Sequence, residues 1–128
     1  MEITVGMTGS VSTSVEREDT AYEVGSGSLL VYATPCMVAL MEGAACEAIA
    51  QALPEDKTTV GTELHISHLS ATPVGLEVRA EAEVTEVDGN AITFRVAAFD
   101  EAGKIGEGIH KRFIVSTQRF LDKAYSKL

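Results

Sequence analysis

TPCMVALMEGAACEAIAQALP, residues 34–54, is the stretch where the sequence changes period and reads as a helix. Thr34-Pro35 supplies a capping hydroxyl followed by a proline at the first helical position, where a missing N–H costs nothing. Cys36 to Leu53 then carries helix formers with no interior proline, and Pro54 stops the run. No other stretch predicts a long helix. Cys36 and Cys46 both fall inside it, ten residues apart. That gap is an axial rise of about 15 Å, beyond the roughly 7 Å a disulfide spans, so the two are expected to be buried free thiols.

On either side of this helix the pattern is that of strands. Thr4 to Glu16 alternates loosely, and Val24 to Leu30 (VGSGSLL) is a Gly/Ser-rich connector. After Pro54 four strands are expected: Thr58 to Thr72, Gly75 to Val87, Ala91 to Phe99 and Ile105 to Thr117. Asp88-Gly89 signals a tight hairpin between two of them, Glu101-Ala102-Gly103 a second turn, and a meander follows. The tail Thr117 to Leu128 spaces Phe120, Leu121, Ala124 and Leu128 as a short amphipathic helix.

A helix apolar over most of its circumference must be covered, and a curved antiparallel sheet with one apolar face can wrap it. Leu76, Val78, Ala80, Ala82 and Val84 form such a face, as do Ile92, Phe94, Val96 and Ala98 on the next strand. The predicted class is therefore α+β: one antiparallel sheet around one long central helix, the hot-dog architecture, with a short C-terminal helix. A split βαβ arrangement competes but wants a second full-length crossover helix. With 128 residues and no internal repeat, a single domain spanning 1–128 is expected.

Ten Lys and Arg against nineteen Asp and Glu give a formal charge of −9, which repels a nucleic-acid backbone. No apolar run approaches the ~20 residues that span a bilayer. Residues 1–11 carry no basic leader, so the expected location is cytoplasmic, with neither membrane nor nucleic acid as partner. Two cysteines cannot by themselves make a structural zinc site, no His or Cys pair sits at metal-ligand spacing around them, and no dinucleotide or phosphate-loop signature occurs, so neither a metal nor a separate cofactor is expected.

Three polar residues break the apolar pattern. At 100° per residue, Val38, Ala45, Cys46 and Ile49 fall within roughly 60° of Glu42, planting a carboxylate in the stripe expected to face the core. Such a carboxylate is costly unless it has a partner or a function. On the strand from Gly61, period two puts His68 with Leu64 and Ile66 on the core side and His65 on the other. Glu42 and His68 together are candidates for a metal-free acid–base pair. Arg112 lies in the basic triplet His110-Lys111-Arg112 of an acidic chain and is a candidate phosphate contact; His110 has no distinguishing context.

The helix opening VYATPCMVALMEGAAC, the strand VGTELHISHLSATPVGL and GEGIHKRF near the last strand together resemble the hot-dog thioesterase superfamily, most closely its fluoroacetyl-CoA thioesterase-like branch. In that branch a Thr at the helix cap, a Glu eight residues on and a His twenty-six further on form the catalytic set, which Thr34, Glu42 and His68 match by type and spacing. A glycine by the thioester matches Gly61, and a basic residue on the last strand matches Arg112. The connector Val24 to Leu30 lacks the aromatic residues of the fluoroacetate-specialised member, so the resemblance does not carry over its selectivity.

The resemblance implies hydrolysis of a small acyl-CoA thioester, with CoA as part of the substrate, in a homodimer whose sites lie at the subunit interface. In it the helix N-terminus at Thr34, Pro35, Cys36 and Met37, with the Gly61 backbone, polarises the thioester carbonyl. Glu42 attacks the carbonyl or activates water, His68 handles protons and holds Glu42, and Lys111 and Arg112 hold the CoA phosphates. Two other readings fit the same fold: a catalytically silent acyl-CoA-binding dimer, and a hydratase or dehydratase.

Overall fold

The computed structural model describes residues 2–128. They form β1 (Thr8–Ser14), α1 (Ala21–Val24), α2 (Thr34–Ile49), β2 (Lys57–His68), β3 (Glu77–Asp88), β4 (Ala91–Asp100), β5 (Gly103–Ser116) and α3 (Thr117–Tyr125). The strands make one antiparallel sheet in the order β1-β3-β4-β5-β2. Its inner face wraps α2 as the element order predicts. β3, β4 and β5 are the expected meander, and Gly89, with φ of 61°, supplies the left-handed residue of the β3–β4 turn. β2 is not the meander's neighbour on the β3 side; it crosses to the far edge and pairs with β5.

The core lies between α2 and the β1, β3 and β4 part of the sheet. Met37, Met41, Ala44, Ala45 and Ile49 meet Val78, Ala80, Ala82 and Val84 of β3 and Ile92, Phe94, Val96 and Ala98 of β4, all buried. Each large side chain here contributes about 1.5–3 kcal/mol by leaving water. β1 crosses α2 so closely that a Cβ at Gly9 would collide with the backbone of Ala44 and Ala48. The small residues Gly9, Ala44 and Ala48 are the ones that permit this approach.

Several expectations are corrected. The first strand is shorter than Thr4 to Glu16, and the connector holds α1, capped by Thr20, whose Oγ1 accepts from the Glu23 N–H at 3.4 Å, and ended by Gly25 at φ 81°. α2 stops at Ile49, with a 3-10 turn over Ala50–Ala52. Cys46 is exposed rather than buried, while Cys36 is half-buried, and both are free thiols. α3 ends at Tyr125, short of Leu128, and Phe120 and Leu121 on it and Leu128 beyond it stand in solvent.

β2 is an outer strand of the sheet and carries a bulge. Gly61 pairs with Arg112 and Glu63 with Lys111, so Thr62 is the extra residue. A one-residue insertion reverses the side-chain alternation. Thr59 and Gly61 before it, and Leu64, Ile66 and His68 after it, therefore share the inner face. On β5 the same face carries Gly106, Gly108, His110 and Arg112. Because α2 covers the other half of the sheet, this polar half opens along the flank of the helix.

Candidate active site

Helix geometry sets the site's layout. Buried α2 positions run along Met37, Met41 and Ala44, with Glu42 about 100° round from Met41. Glu42 thus stands at the margin of the core stripe, half-buried, rather than within it as expected. Its side chain leans over the open inner face of β5 and β2. Gly61 makes that possible: a Cβ there would sit 2.8 Å from Glu42 Oε2. Arg112 meets the carboxylate, its Nη1 donating to Oε2 at 3.3 Å.

Arg112 itself is buried and held on three sides. Nε donates to Thr59 Oγ1 at 2.8 Å and Nη2 to the Thr59 carbonyl at 3.0 Å. Nη1 also donates to His110 Nε2 at 3.1 Å. His110 is fully buried, and its Nδ1 donates to the Glu63 carbonyl at 2.9 Å. Burial pushes its pKa below the ordinary value; the Glu63 carbonyl opposes this, Arg112 adds to it and Glu42 opposes it. The imidazole is therefore neutral at pH 7.

This changes the reading of the basic triplet. Alternation turns His110 and Arg112 inward and Lys111 outward, so the three never form a cationic patch. Lys111 lies exposed on the outer face, 3.4 Å from Glu63 Oε2. Arg112, with its guanidinium committed inside the fold, does not stand free to receive CoA phosphates. His110 and Thr59 were missed by sequence reasoning. The available signal was the alternation itself: two glycines followed by His and Arg on one strand face leave no apolar side chain to face the core.

His68 lies at the other end of β2, beside the start of α2. Thr34 Oγ1 and His68 Nδ1 are 2.7 Å apart. Burial pushes the His68 pKa down, opposed by the nearby Ser70 backbone, and among the described residues no hydrogen-bond partner meets its buried Nε2. The pair borders a cavity of about 320 Å³ lined also by Val31, Tyr32, Leu69 and Ala71. A larger depression of about 710 Å³ lies elsewhere, at Glu47, Glu81, Glu83 and Lys104. None of its titratable groups is buried, so size does not mark the site here.

Thr34 is not the helix cap. Ala33 holds that position, without a side-chain bond, and the Thr34 hydroxyl turns to His68. Thr34→Ala is accordingly expected to change stability by no more than about 0.5 kcal/mol, against the ~1 kcal/mol of a lost cap; urea unfolding measures it. Two of the expected donors of the first turn are also taken. Pro35 has no N–H, and the Cys36 and Met37 N–H groups both donate to the Ala33 carbonyl at 3.0 Å. What the helix offers a substrate there is its positive end, the Thr34 hydroxyl and the Thr34 N–H, which meets no acceptor among the described residues.

Within one chain the predicted residues thus fall into two clusters: Thr34 with His68, and Glu42 with Arg112 and Gly61, the latter joined by His110 and Thr59. The eight-residue step from Thr34 to Glu42 is a rise of about 12 Å along α2. No hydrogen bond joins Glu42 to His68, so they are not the contacting pair expected from the sequence.

Residues 15–118 match the family described as fluoroacetyl-CoA-specific thioesterase. The fluoroacetyl-CoA thioesterase of Streptantibioticus cattleyicolor is 38% identical over 97 residues, 76% of this chain and 70% of that protein. A crystal structure of a mutant of the fluoroacetyl-CoA-specific thioesterase FlK superposes with a TM-score of 0.93 at 30% identity, covering 100% of this chain and 99% of that one. A thioesterase superfamily member from Thermus thermophilus superposes with a TM-score of 0.84 at 29% identity, over 98% of each chain.

Proposed function

This chain belongs to the fluoroacetyl-CoA-specific thioesterase family and is a thioester hydrolase, and from that premise we propose that it cleaves small acyl-CoA thioesters at a site built from two subunits. Thr34 and His68 come from one subunit and Glu42 from the other. The observation that carries this reading is the Thr34–His68 contact of 2.7 Å at the mouth of an otherwise uncharged cavity. Glu42, the remaining member of the set, lies too far along the same helix to join it.

A second copy meets that need. β2 is an edge strand of twelve residues. Leu64 on its inner face is 42% exposed, beside the exposed Ala39 and Cys46 of α2. An unpaired edge flanked by apolar surface favours pairing with its own copy. Two-fold symmetry would carry each Glu42 toward the partner's α2 N-terminus.

In the reaction, His68 donates from Nδ1 to Thr34 Oγ1, and the Thr34 hydroxyl turns to the thioester carbonyl oxygen at the positive end of α2. Glu42 takes a proton from water as the water oxygen bonds to the carbonyl carbon. Collapse of the tetrahedral intermediate breaks the C–S bond, and the proton held by Glu42 passes to the CoA sulfur. The products are the free acid and CoA.

Subunit mixing tests the arrangement. Glu42→Gln and His68→Ala, each inactive alone, are unfolded and refolded together at equal amounts. Half the dimers are then mixed, and each mixed dimer holds one intact site, so about a quarter of wild-type activity is expected. Mixtures as inactive as the separate variants would show that each chain carries its own complete site. A stable monomer by light scattering at micromolar concentration would remove the composite site altogether.

A further inference from the structure

We propose that His110 is a positioning residue for this reaction: its unprotonated Nε2 holds one edge of the Arg112 guanidinium and so fixes the direction from which Arg112 meets Glu42. The inference rests on Glu42 acting on the thioester or its attacking water.

Arg112 has donors and no acceptor, so at the 3.1 Å contact His110 Nε2 must supply the lone pair. The imidazole proton then sits on Nδ1, where the Glu63 carbonyl accepts it at 2.9 Å. One rigid ring thus accepts from the guanidinium and donates to the adjacent strand. Phe94 of β4 stacks on it with centroids 6.1 Å apart and planes inclined by 27°, which fixes the ring's tilt. Groups facing His110 come from every packed element: Glu42 from α2, the Glu63 carbonyl from β2, Phe94 from β4 and Arg112 from its own strand.

Arg112 has five N–H groups. Thr59 takes two, and the two on Nη1 go to His110 and Glu42. Thr59 alone anchors the Nε and Nη2 side; the Nη1 side, which carries the contact to Glu42, has His110 as its only fixed acceptor. Without it the guanidinium can swing about Nε, and Glu42 follows into the space that Gly61 leaves open beside it. A displacement of about 1 Å at a catalytic carboxylate is enough to cost roughly 10²-fold in rate.

The test compares His110→Met, which fills the space without an acceptor, with His110→Gln, which keeps an acceptor near Nε2. Circular dichroism confirms that each is folded. His110→Met is expected to lower kcat by about 10²-fold with KM changed less than about threefold, and His110→Gln to recover at least about tenfold of that loss. In protein labelled with ¹⁵N-arginine, separate Arg112 Nη–H resonances, the sign of hindered guanidinium rotation, are expected in the wild type and the Gln variant and averaged in the Met variant. A folded Met variant with wild-type kcat overturns the proposal, as do averaged Arg112 resonances in the wild type or Gln and Met variants equally impaired. If His110→Met does not fold, the Gln variant and the wild-type spectrum carry the test. Wild-type protein inactive on every acyl-CoA would overturn the proposed function alone, since the resonances still report whether His110 holds Arg112.

Discussion

Glu42→Gln is expected to lower kcat for acyl-CoA hydrolysis by about 10²–10⁴-fold, the range that a positioned general base supplies. Gln keeps the shape and an oxygen that can accept from Arg112 Nη1, so geometry survives and only proton transfer is lost. Stability should barely move. Glu42 has a side chain 36% exposed, and water screens a pair so placed, limiting the cost of the lost charge to about 0–1 kcal/mol. Thiol release measured across several acyl-CoAs, alongside urea unfolding, separates the two quantities. Full activity in the Gln variant would remove Glu42 from the chemistry and leave it as Arg112's surface partner.

Arg112→Ala should produce the opposite balance, a stability defect before a kinetic one. Its side chain is 8% exposed, and truncation abandons Thr59 Oγ1, the Thr59 carbonyl and His110 Nε2 inside the protein while removing the partner of Glu42. Losing one member of a buried charged network costs about 3 kcal/mol, and for a chain of this size that lowers Tm by roughly 10 °C. A contact to CoA phosphates predicts otherwise, with KM raised, more so at low salt, and Tm unchanged. Differential scanning calorimetry on the variant decides between them; an unaltered Tm would return Arg112 to the phosphate.

The overall architecture was open to inspection in the sequence because its signals are local. The Thr34-Pro35 start, the Pro54 stop and the alternation of Val78 to Val84 and Ile92 to Ala98 each describe neighbours along the chain, and burial follows from period. Position of β2 was not. Its pairing with β5 rather than β3 depends on which sheet edge the crossover reaches, and no residue in the connection specifies that. Alternation did place Leu64, Ile66 and His68 together on the inner face, but the Thr62 bulge that also brings Thr59 and Gly61 to that face leaves no mark in composition.

For the site, residue types singled out Glu42 and His68, since a carboxylate and an imidazole among apolar neighbours are costly enough to stand out in one dimension, and the family resemblance added Thr34. What they touch was decided only by tertiary structure. Thr34 exchanged an expected capping bond for His68. Glu42 joined Arg112 instead of His68, and Arg112 became a buried hub because strand alternation separates it from Lys111. His110 gained a place only through residues 47 and 2 positions away, Glu63 and Arg112. The physical reason is common to all four: a sequence reports the cost of burying a polar group, while the partner that offsets the cost is chosen by which strands lie side by side.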